Sequence, residues 1–171
     1  MSQLQRRLGQ PHREPGWIAG TQSRPLMKTL KSVMVVEDDP DVADILQITL
    51  ERICKLETRL YTDARQALAA LEHCSPDIML LDIMMPGISG LDALPLIQHS
   101  KGGRDCLVIM VSANISAKMR DDCLALGAAA VIAKPFDVLG LGKTLESIWQ
   151  THNAENRAAG CPQMESNPTC T

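Results

Sequence analysis

Aromatic side chains are almost missing from this chain: Trp17, Tyr61, Phe136 and Trp149 are the whole set, 2% of 171 residues. A core without them must be built of Leu, Ile, Val, Ala and Met, a mixture suited to helices packed on a sheet. Long apolar runs are missing too. None approaches the roughly 20 residues that a membrane-crossing helix needs. The early arginines are followed by no apolar stretch, so the head does not read as a secretory signal. None of the six cysteines stands in a CxxC pair, and no histidine clusters with them, which argues against zinc and dithiol redox chemistry. Cys54, Cys74, Cys106 and Cys123 fall in or beside expected elements and read as reduced, semi-buried thiols of a cytosolic protein. Cys161 and Cys170 fall in a polar tail and read as exposed. His12, His73, His99 and His152 are each isolated and read as surface residues. The nine methionines read as core filler rather than a copper or heme set.

What is present is unevenly distributed. Residues 1–31 hold six cations and one anion, Glu14, a net +5, which leaves −8 for the remainder of a chain whose net charge is −3. An acidic body argues against nucleic acid as the main partner. The basic head, residues 1–30, lacks periodicity and reads as a flexible extension. Met27, just ahead of the first strand, is an alternative start. The length suits one well-cored domain with tails.

Short apolar runs alternate with helical patterns. Residues 32–36 (SVMVV), 56–60, 77–82 (DIMLLD), 105–111 (DCLVIMV) and 129–133 read as strands. Helices are expected over 41–54, from a Thr62-Asp63 cap to about 73, over 90–99 with a bend at Pro95, over 115–126 with Gly127 as its stop, and over 137–150. Pro40 suits the first turn of the first helix, after Asp39 as its cap. Residues 152–171 read as a disordered polar tail. Strict alternation implies a (βα)5 α/β domain over residues 31–151: a doubly wound, five-stranded parallel sheet with helices on both faces.

Five positions stand at the expected carboxyl ends of these strands: Glu37, Asp38, Asp82, Ser112 and Lys134. A parallel α/β sheet gathers such ends into one crevice. Three carboxylates, a hydroxyl and an ammonium there suit a divalent metal and the transfer of a phosphoryl group onto a carboxylate. Each residue also has a bland reading. Glu37, Asp38 and Asp39 could be helix N-terminal charges, and that is the better reading of Asp39. Ser112 alone is a common loop serine, and Lys134 could simply snorkel. Asp82, ending an apolar strand, is costly unless partnered.

Four fragments in order, VMVVEDDP, IMLLDIMMPGISG, VSAN and AKPF, closely resemble the receiver domain of two-component response regulators. The resemblance runs from about Val33 to Gln150. It implies a flavodoxin-like fold with strand order 2-1-3-4-5 and a cis Lys134–Pro135 bond. It also implies Asp82 as phospho-acceptor, and Glu37 and Asp38 holding Mg2+ with Asp82 and the backbone carbonyl of Met84. Ser112 would be the switch hydroxyl and Lys134 the lysine that pairs with the phosphoryl group. The implied partners are a sensor histidine kinase or histidine phosphotransfer domain and a downstream protein on the face of helix 4, strand 5 and helix 5. That face is placed near Met119, Arg120, Val131 and Leu141. A phosphorylation-dependent homodimer is a further implication.

Three carboxylates repel one another and an incoming phosphate. Mg2+ with Lys134 would neutralise them, leaving positioning and electrostatics to do the chemistry. Without metal, at least one carboxyl should titrate high. The sequence departs from the usual pattern at Val131, where an aromatic switch is common, at Met84, and at Glu37 in place of the commoner Asp. With about twenty residues after the last helix, the expectation is a stand-alone cytoplasmic receiver and not a turnover enzyme. Two alternatives remain. One is an aspartyl-phosphate hydrolase of haloacid-dehalogenase type, although Met84 stands where its second Asp belongs. The other is a binding module independent of phosphorylation.

Overall fold

The computed structural model describes residues 28–159, with side chains as far as residue 155. Ten main elements alternate: β1 (Ser32–Val36), α1 (Pro40–Ile48), β2 (Glu57–Tyr61), α2 (Ala64–Leu71), β3 (Ile78–Asp82), α3 (Gly90–His99), β4 (Leu107–Ser112), α4 (Ala117–Ala125), β5 (Ala130–Ala133) and α5 (Leu141–Ala159). The strands form one parallel sheet in the order β2-β1-β3-β4-β5, the flavodoxin-like arrangement that the sequence implies.

Composition explains which strands lie inside. Every residue of β3 and β4 is buried, and β1 is buried from Val33 onward. Continuous apolar runs fit strands covered on both faces. The edge strand β2, ETRLY, keeps its charged residues Glu57 and Arg59 exposed. One core layer joins Met34, Leu81 and Met110 to Ala67, Leu71, Leu94, Ile97 and Cys123 of α2, α3 and α4. The other joins Val35, Leu80 and Ile109 to Leu46 of α1 and to Leu141, Leu145 and Trp149 of α5.

Local signals set the helix starts. The Asp39 carboxylate accepts hydrogen bonds from the amides of Asp41 and Val42, at 3.0 and 3.4 Å, with Pro40 in the first turn. Asp63, Ser89 and Ser116 cap α2, α3 and α4 in the same way. Helix α3 runs through Pro95. The first helix is shorter than the expected 41–54. It gives way to a wide π-type turn over Thr49–Ile53, where the Thr49 hydroxyl bonds back to the Ile45 carbonyl at 2.6 Å. Ile45, expected on the buried face, is exposed.

Three sequence expectations need correction. The flexible head was placed over 1–30, but Lys28 is tied down. Its carbonyl accepts the Trp149 indole N–H at 2.8 Å, its ammonium lies 4.9 Å above the Trp149 ring, and the same ammonium pairs with Asp77 at 3.1 Å. Residues 1–27, including Met27, His12 and Trp17, lie outside the described residues. The polar tail was placed from 152, but α5 continues to Ala159. Its sequence there has no Gly or Pro to stop it, and the Asn153 amide bonds back to the Trp149 carbonyl at 2.8 Å. Residues 160–171, with Cys161 and Cys170, also lie outside the described residues. Third, His152 is only half-exposed and has interactions of its own, whereas His73 and His99 are on the surface.

Asp77 closes the end of the sheet remote from the strand carboxyl termini. Its Oδ2 accepts from the amides of Lys31 and Ser32, each at 3.0 Å, and from the Ser32 hydroxyl at 3.1 Å. Cys54 and Cys74 are half-buried free thiols, and Cys106 and Cys123 are fully buried ones. Burial pushes the Cys106 thiol up to about 12. No helix among the described residues is long and apolar enough to cross a membrane.

Trp149 is the largest fully buried side chain and anchors α5 to both the sheet and Lys28. Trp149→Ala should cost about 3–5 kcal/mol of unfolding free energy. Leu124→Ala, on the exposed side of α4, should stay within about 0.5 kcal/mol of wild type. Urea denaturation of the two variants beside wild type measures the difference.

Candidate functional site

Parallel register brings distant residues to one level. Val36 pairs with Leu81, so Glu37 follows β1 at the height of Asp82, which itself pairs with Val111. Ser112 pairs with Ala133, and Lys134 comes next. Two backbone bonds fix these ends: the Glu37 amide to the Tyr61 carbonyl at 3.0 Å and the Lys134 amide to the Ser112 carbonyl at 2.8 Å. The Lys134–Pro135 peptide is cis.

One ammonium joins the two ends of the crevice. Lys134 Nζ lies 2.7 Å from Asp82 Oδ2, and 2.8 and 2.6 Å from the two oxygens of Glu37. Strands β1 and β5 are three spacings apart, about 14 Å. The long stems of Lys134 and Glu37 together span that gap, which gives Glu rather than Asp a purpose at position 37. The other Asp82 oxygen accepts the Met84 amide at 3.0 Å. Both oxygens of Asp82 are thus held. Glu37 is 1% exposed and Asp82 5%, so neither finds much water, while Asp38 is half-buried beside them.

Electrostatics follow from this crowding. Burial pushes the Glu37 carboxyl from 4.5 up to about 7, and the charge of Asp82 pushes the same way, against the hydrogen bond and charge of Lys134. For Lys134 burial works to lower its value. The hydrogen bonds to Asp82 and Glu37 outweigh this and raise it above the usual 10.5. Lys134 therefore stays charged, and the Glu37 carboxyl titrates high, as expected when a carboxylate is buried beside another.

Oxygens of Glu37, Asp38 and Asp82 lie within 4.8 Å of one another, close enough to share one ion. Three hard oxygen donors, two of them buried and opposed by a single ammonium, fit Mg2+. The acidic pocket is compatible with that ion.

Ser112 is fully buried, and its hydroxyl is turned into its own loop. It donates to the Asn114 carbonyl and accepts from the Asn114 amide, both at 3.3 Å. Of the expected site residues, Glu37, Asp38, Asp82 and Lys134 converge directly. Met84 joins through its amide, and its side chain is 69% exposed. Ser112 stands at the same sheet edge, bonded elsewhere. Two of the four residues placed on the read-out face are not surface residues: Val131 and Leu141 are buried. Leu141 packs in the α1/α5 core layer, across the sheet from Val131 and Met119. Its position as the first residue of α5, facing inward, accounts for this.

Gly90 supports the site and was not singled out from sequence. A Cβ there would lie 2.1 Å from the Asp82 carbonyl oxygen, so the loop after β3 can fold back against the acceptor strand only with glycine. The Gly90 amide bonds to the Ile83 carbonyl at 3.0 Å. The fragment IMLLDIMMPGISG, which ends on Gly90, carries the signal, but it served above only for the resemblance. An open apolar groove of about 370 Å³ flanks Lys134, lined by Val42, Ile45, Ala113, Pro135, Phe136 and Val138.

Comparison with known proteins agrees with this geometry. The family model for the response regulator receiver domain matches residues 33–146. The DNA-binding response regulator MtrA of Mycolicibacterium smegmatis is 33% identical over 111 residues, which cover 64% of this chain and 47% of MtrA. The sensory transduction protein RegX3 of Mycobacterium tuberculosis is 30% identical over 139 residues, 81% of this chain and 60% of RegX3. The chain thus spans about half to three-fifths of the length of these relatives. Among solved structures, a CheY-like receiver domain protein from Methanospirillum hungatei superposes with a TM-score of 0.66 at 26% identity, covering 74% of this chain and 99% of that one. The receiver domain of the sensor histidine kinase PA1611 from Pseudomonas aeruginosa, described with a magnesium ion in its active-site cleft, gives a TM-score of 0.63 at 27% identity, covering 71% and 98%.

The folded chain holds the Glu37 proton more tightly than the unfolded chain. Its stabilising effect is therefore complete below pH 4.5 and is lost as pH rises to about 7. Glu37→Gln escapes that loss. In metal-free buffer its melting temperature relative to wild type should rise between pH 5 and pH 8, and thermal scans at the two pH values measure the change.

Proposed function

The chain belongs to the response regulator receiver domain family, and from that premise we propose that it accepts a phosphoryl group from a phosphohistidine donor onto Asp82 and relays the modification by a change in its binding face. The observation that carries this reading is the Lys134 ammonium bridging Glu37 and Asp82, with Asp38 within ligand distance.

In this reading Glu37, Asp38, Asp82 and the Met84 carbonyl hold Mg2+, which would offset the negative charge of acceptor and donor. The protein's own groups do the positioning. The Met84 amide and Lys134 fix the two oxygens of Asp82, so the carboxylate meets the phosphorus in a defined orientation. One Asp82 oxygen forms the new P–O bond while the P–N bond of the donor breaks. The electron pair leaves with the imidazole nitrogen of the donor, whose ring takes up its proton from solvent. Lys134 stays cationic throughout and pairs with the phosphoryl oxygens, releasing Glu37 from its bidentate contact. Transfer proceeds by electrostatic positioning, without an acid–base residue. Receiver domains are signalling modules, and we assign this chain no turnover of small phosphoesters.

The product replaces the single charge of the Asp82 carboxylate with the roughly −2 of an acyl phosphate, a net gain of about one negative charge, and brings three acceptor oxygens beside Ser112. The Ser112 hydroxyl, now spent on two long bonds to Asn114, gains a stronger, charged acceptor. Its rotation loosens residues 113–116, and α4 follows. The donor is a sensor histidine kinase or histidine phosphotransfer domain. The output partner is a protein that binds the α4–β5–α5 face, with a homodimer through the same face as the alternative. The acidic charge beyond residue 31 supports a protein partner over nucleic acid. The reading as a cytoplasmic receiver rests on the free thiols among the described residues.

Incubation with acetyl phosphate and Mg2+ should add one phosphoryl mass to wild type and none to Asp82→Asn, with the label lost again on mild base or hydroxylamine. Lys134→Ala should slow the gain by at least tenfold, consistent with loss of a buried charge partner. Intact-mass spectrometry over time decides the matter: equal labelling of Asp82→Asn would overturn the assignment, and catalytic release of phosphate from a small phosphoester would point to a hydrolase instead.

A further inference from the structure

Helix α4 is held more lightly than its neighbours. Cys123 is its one buried residue; Met119 packs half-buried against the core, and Leu124 is exposed. Its N-terminus hangs on the Ser116 cap, which accepts the Met119 amide at 3.1 Å. Its C-terminal side is tied by the Gln98 amide, which donates to the Gly127 carbonyl at 2.9 Å. Between these ends one side chain crosses from the helix to the sheet: Arg120 Nη1 donates to the Val131 carbonyl of β5 at 3.4 Å.

That bond lies on the route from the site. Val131 pairs with Met110 of β4, two residues before Ser112, and Ala133 pairs with Ser112 itself. Ser112 closes residues 112–114 on themselves by its two bonds to Asn114, and the Ser116 cap lies only two residues farther on. The buried Val131 side chain offers no ring to mark the state of this face. The polar tie on its carbonyl is left as the element that can be made or broken.

We propose that Arg120 is a latch: its bond to the Val131 carbonyl holds α4 on β5 in the unmodified state and opens when Asp82 is phosphorylated. The latch rests on the reading of Asp82 as acceptor. Its energy is small, because the guanidinium is exposed and the bond long. A small energy suffices. Removing a bond made in one state only raises the fraction of the other, and the apparent affinity of any ligand of that other state rises in proportion. Arg120 is thus a positioning residue whose loss makes the acceptor site easier to occupy.

Arg120→Met keeps the aliphatic stem and removes the donors, and Arg120→Lys keeps the charge and one donor. Two measurements separate the ideas. Amide hydrogen exchange of residues 113–125 without any phosphoryl mimic should be faster in Arg120→Met, and intermediate in Arg120→Lys, with residues 141–155 unchanged. Beryllofluoride with Mg2+ should bind Arg120→Met about threefold more tightly than wild type by calorimetric titration. Unchanged exchange in α4, or equal or weaker beryllofluoride affinity, overturns the latch. Failure of wild type to bind beryllofluoride, with α4 exchange accelerated as expected, would instead overturn the acceptor reading and the phosphorylation half of the latch.

Discussion

A single ammonium group holds this crevice together. Lys134 comes from the edge strand β5 and reaches two carboxylates rooted on β1 and β3, at 2.6–2.8 Å. Without it, two nearly dry carboxylates would face each other, a situation costing several kcal/mol. With it, one positive charge still opposes three negative ones, because Asp38 stands beside the pair. The imbalance adds, through the charge of Asp82, to the burial that chiefly raises the titration of Glu37. It also leaves the site prepared for one more cation. A fully neutralised pocket would have no reason to recruit an ion, and an unbridged one would be hard to fold.

The sheet is what makes this arrangement cheap. All five strands run the same way, so every carboxyl end opens at one edge. The apolar runs of β1, β3 and β4 are buried on both faces and carry the stability. Each needs to supply only one polar residue at its end. At the opposite edge Asp77, Ser32 and Lys28 satisfy the strand beginnings, far from the chemistry. Gly90 then lets the segment after β3 return against the Asp82 backbone, while both carboxylate oxygens of Asp82 remain held.

Much of this was legible in the sequence. The apolar runs named all five strands within about two residues, and the caps Asp39 and Asp63 marked real helix starts. Glu37, Asp82 and Lys134 could be picked out because a charge at the end of an apolar run has few other uses. What the sequence concealed was context. Nothing local shows that the indole of Trp149 captures the carbonyl of Lys28 from 121 residues away, so the head seemed free as far as residue 30. Polar residues 152–159 resemble a tail, yet they continue a helix already nucleated and packed by Leu145 and Trp149. The inward rotation of Leu141 and the double bond of Ser112 to Asn114 depend on side-chain orientation, which residue spacing alone does not carry.

The two faces of the sheet are unequally secured, and this bears on how a change at Asp82 travels. On one face α5 is long and buries Leu141, Leu145 and Trp149, with Lys28 and Asp77 pinning its far part. On the other, α4 buries little and begins five residues after Ser112. Under the proposed function a new charge at Asp82 would act on both, and the response would go where resistance is least. Cores are close-packed and move as discrete arrangements rather than by gradual deformation. Displacing α5 would uncover Trp149, whereas displacing α4 would uncover the much smaller Cys123 and break few side-chain hydrogen bonds. In the proposed switch the stiffness of the α1/α5 face therefore has a part, because it would confine the response to the α4 side.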